Sequence, residues 1–284
     1  MIEVRVDAPN RTFRLVLDLD AARPNEATVL RFLQGGLPYE PDVSGALLRI
    51  LRPGDTFVDV GANLGYFSVL AGHLVTETGR VISVEPDPRN LDRLCPNLYL
   101  NGLTHATVVR AAAGSVPGEA RFFLNQDDSG GSALWDPGLF PGNDRSIASR
   151  TEITVPVRTL DDVLRDSGAA PPRLIKIDTE GAEHNVLQGA LGMLRYGSVP
   201  YVIAELHPFG LNQLGSSQAA LRGFMAEFGY ETFALYFNDE LPKFIPRGTR
   251  LDSDAFVNLL FCTQTALAEA WPEVMFDPLA SWHR

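Results

Sequence analysis

The stretch TFVDVGANLGYFSVL, Thr56 to Leu70, constrains this chain more than any other. A strand-length run that is apolar but for Thr56 and Asp59 stops at Gly61, and Tyr66 to Val75 reads as a helical stretch. A buried strand, a glycine turn and a helix in that order open a parallel α/β sheet. Gly61 and Gly65 lack a Cβ, so the backbone can turn tightly and let a ligand approach.

The pattern continues in the same rhythm. RVISVEPD reads as a second strand, Pro88 to Asn101 as a helix with Gly102 just past its end, and ATVVRAAAG as a third strand. Residues 117–157 break the alternation. GEARFFLN and TEITVPVRTL look like strands, separated by a Gly-, Asp-, Ser- and Pro-rich loop expected to be flexible. LIKID then reads as a strand, Glu183 to Tyr196 as one helix, and YVIAELH as a strand. Ser217 to Phe228 is a helix, and YETFALY and Ala255 to Cys262 are the last strands. Before all this, alternating residues 1–20 suggest a hairpin, and 25–35 and Asp42 to Leu51 suggest helices. The expected divisions are an N-terminal extension (1–52), a main domain (53–265, with 117–157 as a β insertion) and a tail (266–284). Strands alternating with helices give a doubly wound α/β fold.

The charge of −11 and the lack of a basic run disfavour a nucleic-acid substrate. No stretch reaches the roughly 18 apolar residues of a membrane span, and no signal peptide is visible, so a soluble cytoplasmic protein is expected. Cys95 and Cys262 make neither a disulfide framework nor a zinc spacing.

Two clusters carry the chemistry. In the first, Glu85 ends the second strand, 24 residues after Gly61. A carboxylate there can accept hydrogen bonds from both ribose hydroxyls, so the pair points to an adenosine-type ligand. A nicotinamide fingerprint would need GxGxxG, but the spacing is Gly61-x-x-x-Gly65 with Asn63 between. An oxidoreductase is disfavoured further by the absence of a Tyr-x-x-x-Lys pair. Asp59, two residues before Gly61, either holds the loop or meets a ligand ammonium. In the second cluster, Asp178 ends one strand, with Glu180, Glu183 and His184 just beyond, while Glu205 and His207 end the next. Ligands of open α/β sheets bind outside the carboxyl ends of strands, so Asp178, Glu205 and His207 are expected to share a rim with Gly61. Each has a plainer reading: Glu183 as a dipole partner of its helix, Glu180-Gly181 as a simple turn, Glu205 as a partner of Lys176. A divalent metal is the less favoured use of these acids.

Taken in order, YEPDVSGALLRILRPGDTFVDVGANLGYFSVLAG, VISVEPDP, VPVRTLDDVL, LIKIDTEGAEHNVLQGA and PYVIAELHP resemble the FkbM family of methyltransferases, from about Tyr39 to His207. The resemblance implies a Rossmann-like class I methyltransferase with a mostly parallel seven-stranded sheet, helices on both faces, and S-adenosylmethionine as cofactor. Asp59, Gly61, Asn63 and Gly65 would form the methionine and loop contacts. Glu85 would hold the ribose, with Pro86 and Asp87 beside it. Asp178 would lie next to the sulfonium, and Tyr39 and Glu40 would cover the cofactor. Arg110 stands where the family pattern suggests Asn, and the loop from Asp127 to Arg150 follows no family pattern.

The resemblance also implies O-methylation of a hydroxyl on a sugar, polyketide or similar small molecule. N-methylation of an amino sugar and a non-catalytic partner protein are the alternatives. His207 is the first choice of general base, because imidazole titrates near working pH, with Glu205 or Asp178 orienting it and Glu183 as rival. Phe122, Phe123, Trp135 and Phe140 are candidates for an acceptor pocket. Trp271 and Trp282 pack either on the body or on a second subunit, so a homodimer stays open.

Overall fold

The computed structural model describes residues 1–9, 11–140, 151–237, 241–251 and 257–275. The chain starts with an antiparallel hairpin, β1 (Ile2–Ala8) and β2 (Arg11–Leu17), followed by α1 (Pro24–Gln34) and α2 (Pro41–Ile50). The first sheet units are β3 (Thr56–Val60), α3 (Tyr66–Val75), β4 (Arg80–Val84), α4 (Pro88–Leu100) and β5 (Ala106–Val109). A side sheet holds β6 (Ala112–Ala113), β7 (Gly118–Leu124) and β8 (Thr151–Arg158). Then come α5 (Leu160–Ser167), β9 (Leu174–Ile177), α6 (Glu183–Gln188), α7 (Leu191–Arg195) and β10 (Tyr201–Leu206). The chain closes with α8 (Pro208–Gln213), α9 (Gln218–Glu227), β11 (Glu231–Leu235), β12 (Lys243–Phe244), β13 (Val257–Cys262) and α10 (Gln264–Ala270).

The main sheet runs β12-β11-β13-β10-β9-β3-β4-β5. Strands β10, β9, β3, β4 and β5 pair in parallel, and β13 is inserted antiparallel between β10 and β11. The mixed, mostly parallel α/β sheet expected from the sequence is therefore present. The two-residue β12 adds an eighth strand to the seven expected, at the edge beside β11.

Side-chain alternation divides the core. Phe57, Leu174, Tyr201 and Ile203 face one layer, together with α2, α3, the hairpin and α10. Val58, Val60, Ile175, Ile177, Val202 and Ala204 face the other, with α5, α6, α7 and α9. The hairpin shares the first layer through Phe13, Leu15 and Leu17. It is tied to α4 by two asparagines. Asn101 Oδ1 accepts from Val16 N at 3.0 Å, and Asn97 Oδ1 from Asp18 N at 2.8 Å. Trp271 packs edge-on to Tyr201 with ring centroids 6.5 Å apart and is only 2% exposed, so it belongs to the body's own core. Trp282 lies outside the described residues.

Three element readings need correction. The Glu183–Tyr196 helix is two helices, because Gly189 passes so close to the side sheet that a Cβ would sit 2.1 Å from the Gly114 carbonyl oxygen. The ATVVRAAAG strand splits at Arg110–Ala111, where the chain leaves β4 to pair with β8. The acidic loop contains two short 3-10 turns, Ser129–Gly131 and Pro137–Leu139, each opened by an Asp side chain that accepts a backbone N–H. Residues 141–150 of that loop lie outside the described residues. Helices α5, α8 and α10 were not read from the sequence. Two of them begin at Thr side chains that cap the first turn, Thr159 and Thr263.

Candidate active site

The carboxyl ends of β3, β4 and β9 meet at a cleft with about 560 Å³ of space between atoms, part of it open to solvent. Gly61, Asn63, Glu85, Pro86, Asp178 and Glu180 line it. The opposite wall is apolar, with Ala111, Ala112, Phe122 and Leu134, and the Ser129–Ser132 turn lies across it.

Gly61 makes the junction possible. Its φ is +75°, and a Cβ there would lie 1.8 Å from the Asp178 carbonyl oxygen. The amides of Gly61 and Ala62 donate to the Val84 carbonyl, and Asp178 N donates to the Val60 carbonyl, which locks the three strand ends together. Gly65 starts α3 at φ +91°, against Leu94.

Glu85 sits at the floor, 3% exposed. Its Oε2 accepts from Asn63 N at 2.8 Å and its Oε1 from Asp87 N at 2.8 Å. Burial pushes its carboxyl up to about 7, against the pull of those backbone donors. Asp87 does not line the cleft. It caps α4, accepts from Arg89 at 2.6 Å and from Ser132 Oγ at 3.0 Å, and so fastens the turn over the cleft to the protein. Asn63 Oδ1 accepts from Asn25 Nδ2, which also donates to Ser129 Oγ, so α1 reaches the same roof. Arg110 is exposed and leaves the adjoining wall to Ala111, Ala112 and Ala113.

Asp59 lies away from the cleft, fully buried on the other face of β3. It accepts from Ser68 Oγ at 2.6 Å, and its Oδ1 has no hydrogen-bond partner. Burial raises its pKa. Its register partner on β9 is Lys176, also buried, which donates to Asp178 Oδ2 at 3.0 Å and lies 4.7 Å from the Phe67 ring centroid. Burial works to lower the Lys176 pKa, but Asp178, Asp59 and Glu40 together hold the ammonium well above its usual range.

On the far side of Asp178 the acids gather. Carboxylate oxygens of Asp178, Glu180 and Glu205 all lie within 4.8 Å of one another. Burial raises Asp178, but Lys176 and a hydrogen bond from Glu205 overcome it and keep the group ionised. Burial and the Asp178 charge push Glu205 well above its usual range, so Glu205 is the protonated donor. Glu40 and Tyr39 adjoin this group from the start of α2. Burial lifts Glu40 to about 7, with Lys176 opposing, and burial raises the hydrogen-bonded Tyr39 as well. The buried Lys176 ammonium already supplies the cation for these acids, which makes the donor set a poor fit to a metal ion.

His207 caps α8. Its Nδ1 accepts from Gly210 N at 2.8 Å, and its Nε2 lies 3.2 Å from Glu180 Oε2. Burial lowers its pKa. Trp135 and Phe140 pack on His207, both with ring centroids 5.6 Å away. Phe122 joins the cleft, whereas Phe123 carries Arg121 over its ring. Glu183, fully buried, lies beneath the 179–182 turn. Its Oε1 accepts from Gly181 N at 2.8 Å and from Thr179 N and Oγ1, and burial lifts it to about 7. It braces the turn and does not reach the cleft.

Glu180 is the residue that the sequence reading passed over as a turn. Its φ is +55°, a strained value for a side chain with a Cβ. Trp135 Nε1 donates to its carbonyl at 2.5 Å, and glycines at 181 and 210 let α8 pass against it. The only local signal is a glutamate two residues beyond the strand-end Asp178, because the backbone that aims it is set by α8 packing against the turn.

A glycine turn, an acidic second strand end and an apolar third wall make this a nucleoside-binding fold of the Rossmann-like kind. The chain belongs to the FkbM family of methyltransferases: the model of the methyltransferase FkbM domain matches residues 59–232. The hexuronic acid methyltransferase AglP of Haloferax volcanii is 31% identical over 170 residues, covering 59% of this chain and 62% of that protein. The 31-O-demethyl-FK506 methyltransferase FkbM of Streptomyces tacrolimicus is 30% identical over 219 residues, covering 70% of this chain and 83% of that one. The chain thus spans less than two thirds of the first relative. A structure of methyltransferase FkbM from Methylobacillus flagellatus is similar at TM-score 0.45 and 18% identity, over 76% of this chain and 52% of that one.

Proposed function

We propose that this protein transfers the methyl group of S-adenosylmethionine to a hydroxyl of a small molecule. The observation that carries the reading is the pairing of the Gly61 turn with the buried Glu85 in one cleft, inside the family-matched span. The cofactor fits the residues present. Glu85 Oε2, which accepts only from Asn63 N, keeps a lone pair for a ribose hydroxyl, while Oε1 accepts from Asp87 N and Asn90 Nδ2; the apolar wall suits an adenine ring, and the ionised Asp178 suits a positive charge. When bound, S-adenosylmethionine supplies an electrophilic methyl on a sulfonium centre. The protein's own part is to bring the acceptor oxygen to about 3–3.5 Å from that carbon, hold it in line, and exclude water.

The acceptor class rests on the relatives' names. One gives a hexuronic acid and the other an O-demethylated FK506, so a sugar or polyketide hydroxyl is our reading for this chain. Among the described residues no helix is long and apolar enough to cross a membrane.

Calorimetric titration with S-adenosylmethionine and, separately, with NADH tests the cofactor. Binding of the first alone supports the proposal. Binding of neither would remove the Gly61–Glu85 argument and favour a non-catalytic partner. A Mg²⁺ requirement would turn the Asp178 group into a metal site.

A further inference from the structure

The sequence points to His207 as the base, but the geometry gives the imidazole another task. We infer that Glu180 is the residue that accepts the acceptor's proton, and that His207 is a positioning residue that holds Glu180. The inference rests on the methyl-transfer reading above.

Three observations support it. First, both ring nitrogens of His207 are engaged. Nδ1 accepts the Gly210 amide as the cap of α8, so it carries no proton, and the proton sits on Nε2. Nε2 lies 3.2 Å from Glu180 Oε2, within ion-pair distance. For His207 to take a proton, Nδ1 would have to give up the Gly210 bond. The aromatic contacts with Trp135 and Phe140 further restrict the ring's movement.

Second, Glu180 lines the cleft and His207 does not. Its Oε2 lies beside the His207 ring, and Oε1 accepts no side-chain or backbone hydrogen bond from the described residues. The other nearby acids are committed. Asp178 takes donors from Lys176 and Glu205, Glu205 is itself the donor, and Glu183 braces the turn through Oε1 while its unpaired Oε2 is buried away from the cleft.

Third, the Glu180 backbone is fixed at a cost. Its positive φ is kept by the Trp135 bond to its carbonyl and by close glycine contacts. Burial, with Asp178, Glu183 and Asp128 nearby, raises its carboxyl well above the usual range. The titratable groups facing the pair from neighbouring elements are Asp178, Glu205, Glu183 and Asp128 toward Glu180, and Asp178 toward His207.

The step balances simply. The acceptor oxygen bonds to the methyl carbon, and the carbon–sulfur bond breaks with its electron pair staying on sulfur. The hydroxyl proton passes to Glu180 Oε1.

The test uses the full chain in two arms. ¹⁵N spectra of the imidazoles between pH 6 and 8 should show His207 neutral, with the proton on Nε2 throughout. An imidazolium, or a proton on Nδ1, in that range would overturn the assignment. In the second arm, methyl-labelled S-adenosylmethionine is supplied with a panel of methyl glycosides and a macrolide alcohol. Glu180→Gln should lower turnover at least ~100-fold with cofactor affinity within about threefold. His207→Asn keeps an acceptor for Gly210, and should cost less than ~10-fold while moving the acidic limb of the pH profile upward, because Glu180 loses a donor. A lost reaction in His207→Asn beside a working Glu180→Gln would overturn the proposal. If no panel compound is methylated, the spectra decide. Absence of cofactor binding would sink the methyltransferase reading, a failure distinct from a wrong choice of base.

Discussion

The Gly61 turn and the Asp178 carbonyl are in such close contact that no side chain fits between them: a Cβ on Gly61 would stand 1.8 Å from that oxygen. This contact joins the first strand of the sheet's core to the strand that delivers the acids. Gly61→Ala should therefore damage both the cleft and the fold. A forced shift plus a left-handed φ of +75° costs about 1–3 kcal/mol or more. A lower melting temperature together with lost S-adenosylmethionine binding is the expected result. Unchanged binding would mean that the cleft does not depend on this contact.

Glu85 gives a pH prediction. Its carboxyl is raised to about 7, so a fraction of the free protein carries a proton there at neutral pH. Ribose hydroxyls donate to the ionised form, so binding should favour it. Affinity is then fully present about a pH unit above 7 and weakens as the pH falls through 7 toward 6. Calorimetry in buffers of different ionisation enthalpy should show proton release near pH 6.5. Glu85→Gln should bind more weakly at pH 8 and lose the pH dependence.

Glu40, Glu85 and Glu183 are all raised to about 7 from an ordinary value of 4.5. The unfolded chain releases these protons near 4.5, and the folded chain keeps them until about 7. In that window the unfolded state binds fewer protons, so their contribution to stability falls as pH rises from 4.5 to 7. Denaturant midpoints across this range should show the decline. Glu183→Gln keeps an acceptor for Gly181 and removes the charge, and should be at least as stable as the parent at pH 8.

Asn97 links three parts of the protein. Its Oδ1 accepts from Asp18 N and its Nδ2 donates to the Leu64 carbonyl, both at 2.8 Å. It is fully buried, so Asn97→Ala leaves the buried Leu64 carbonyl and the part-buried Asp18 N–H unpaired, at about 1–3 kcal/mol for the carbonyl and less for the N–H. Urea unfolding and amide exchange in the hairpin should both report the loss. Exchange unchanged in residues 2–18 would show that the hairpin holds without it.

Trp271 was open to two readings from the sequence, and its packing against Tyr201 assigns it to the core. Trp271→Ala should cost about 3–5 kcal/mol. That cost should not depend on protein concentration. A concentration-dependent midpoint would point to a subunit contact instead.

Much of the fold was legible because its signals are local. The helix Tyr66–Val75 was read to the residue, and Gly61, Glu85 and Asp178 were placed at strand ends from apolar runs that stop at polar residues. The sheet's parallel order followed from alternating strands and helices. The division of labour among the acids was not legible. Glu180 and Glu183 are three residues apart in IDTEGAE, yet one faces the cleft and the other disappears under the turn. The left-handed backbone at Glu180 and Gly181 decides this, and it depends on α8 packing against the turn. Asp59 and His207 are similar cases. Sequence put both at strand ends, but strand pairing turned Asp59 toward Ser68, and the Gly210 amide took one nitrogen of His207. A sequence by itself determines which residue types arrive at the rim, because periodicity and turns are properties of neighbouring residues. Only the tertiary structure decides which of them face the ligand, because that depends on hydrogen bonds and close contacts between segments distant in the chain.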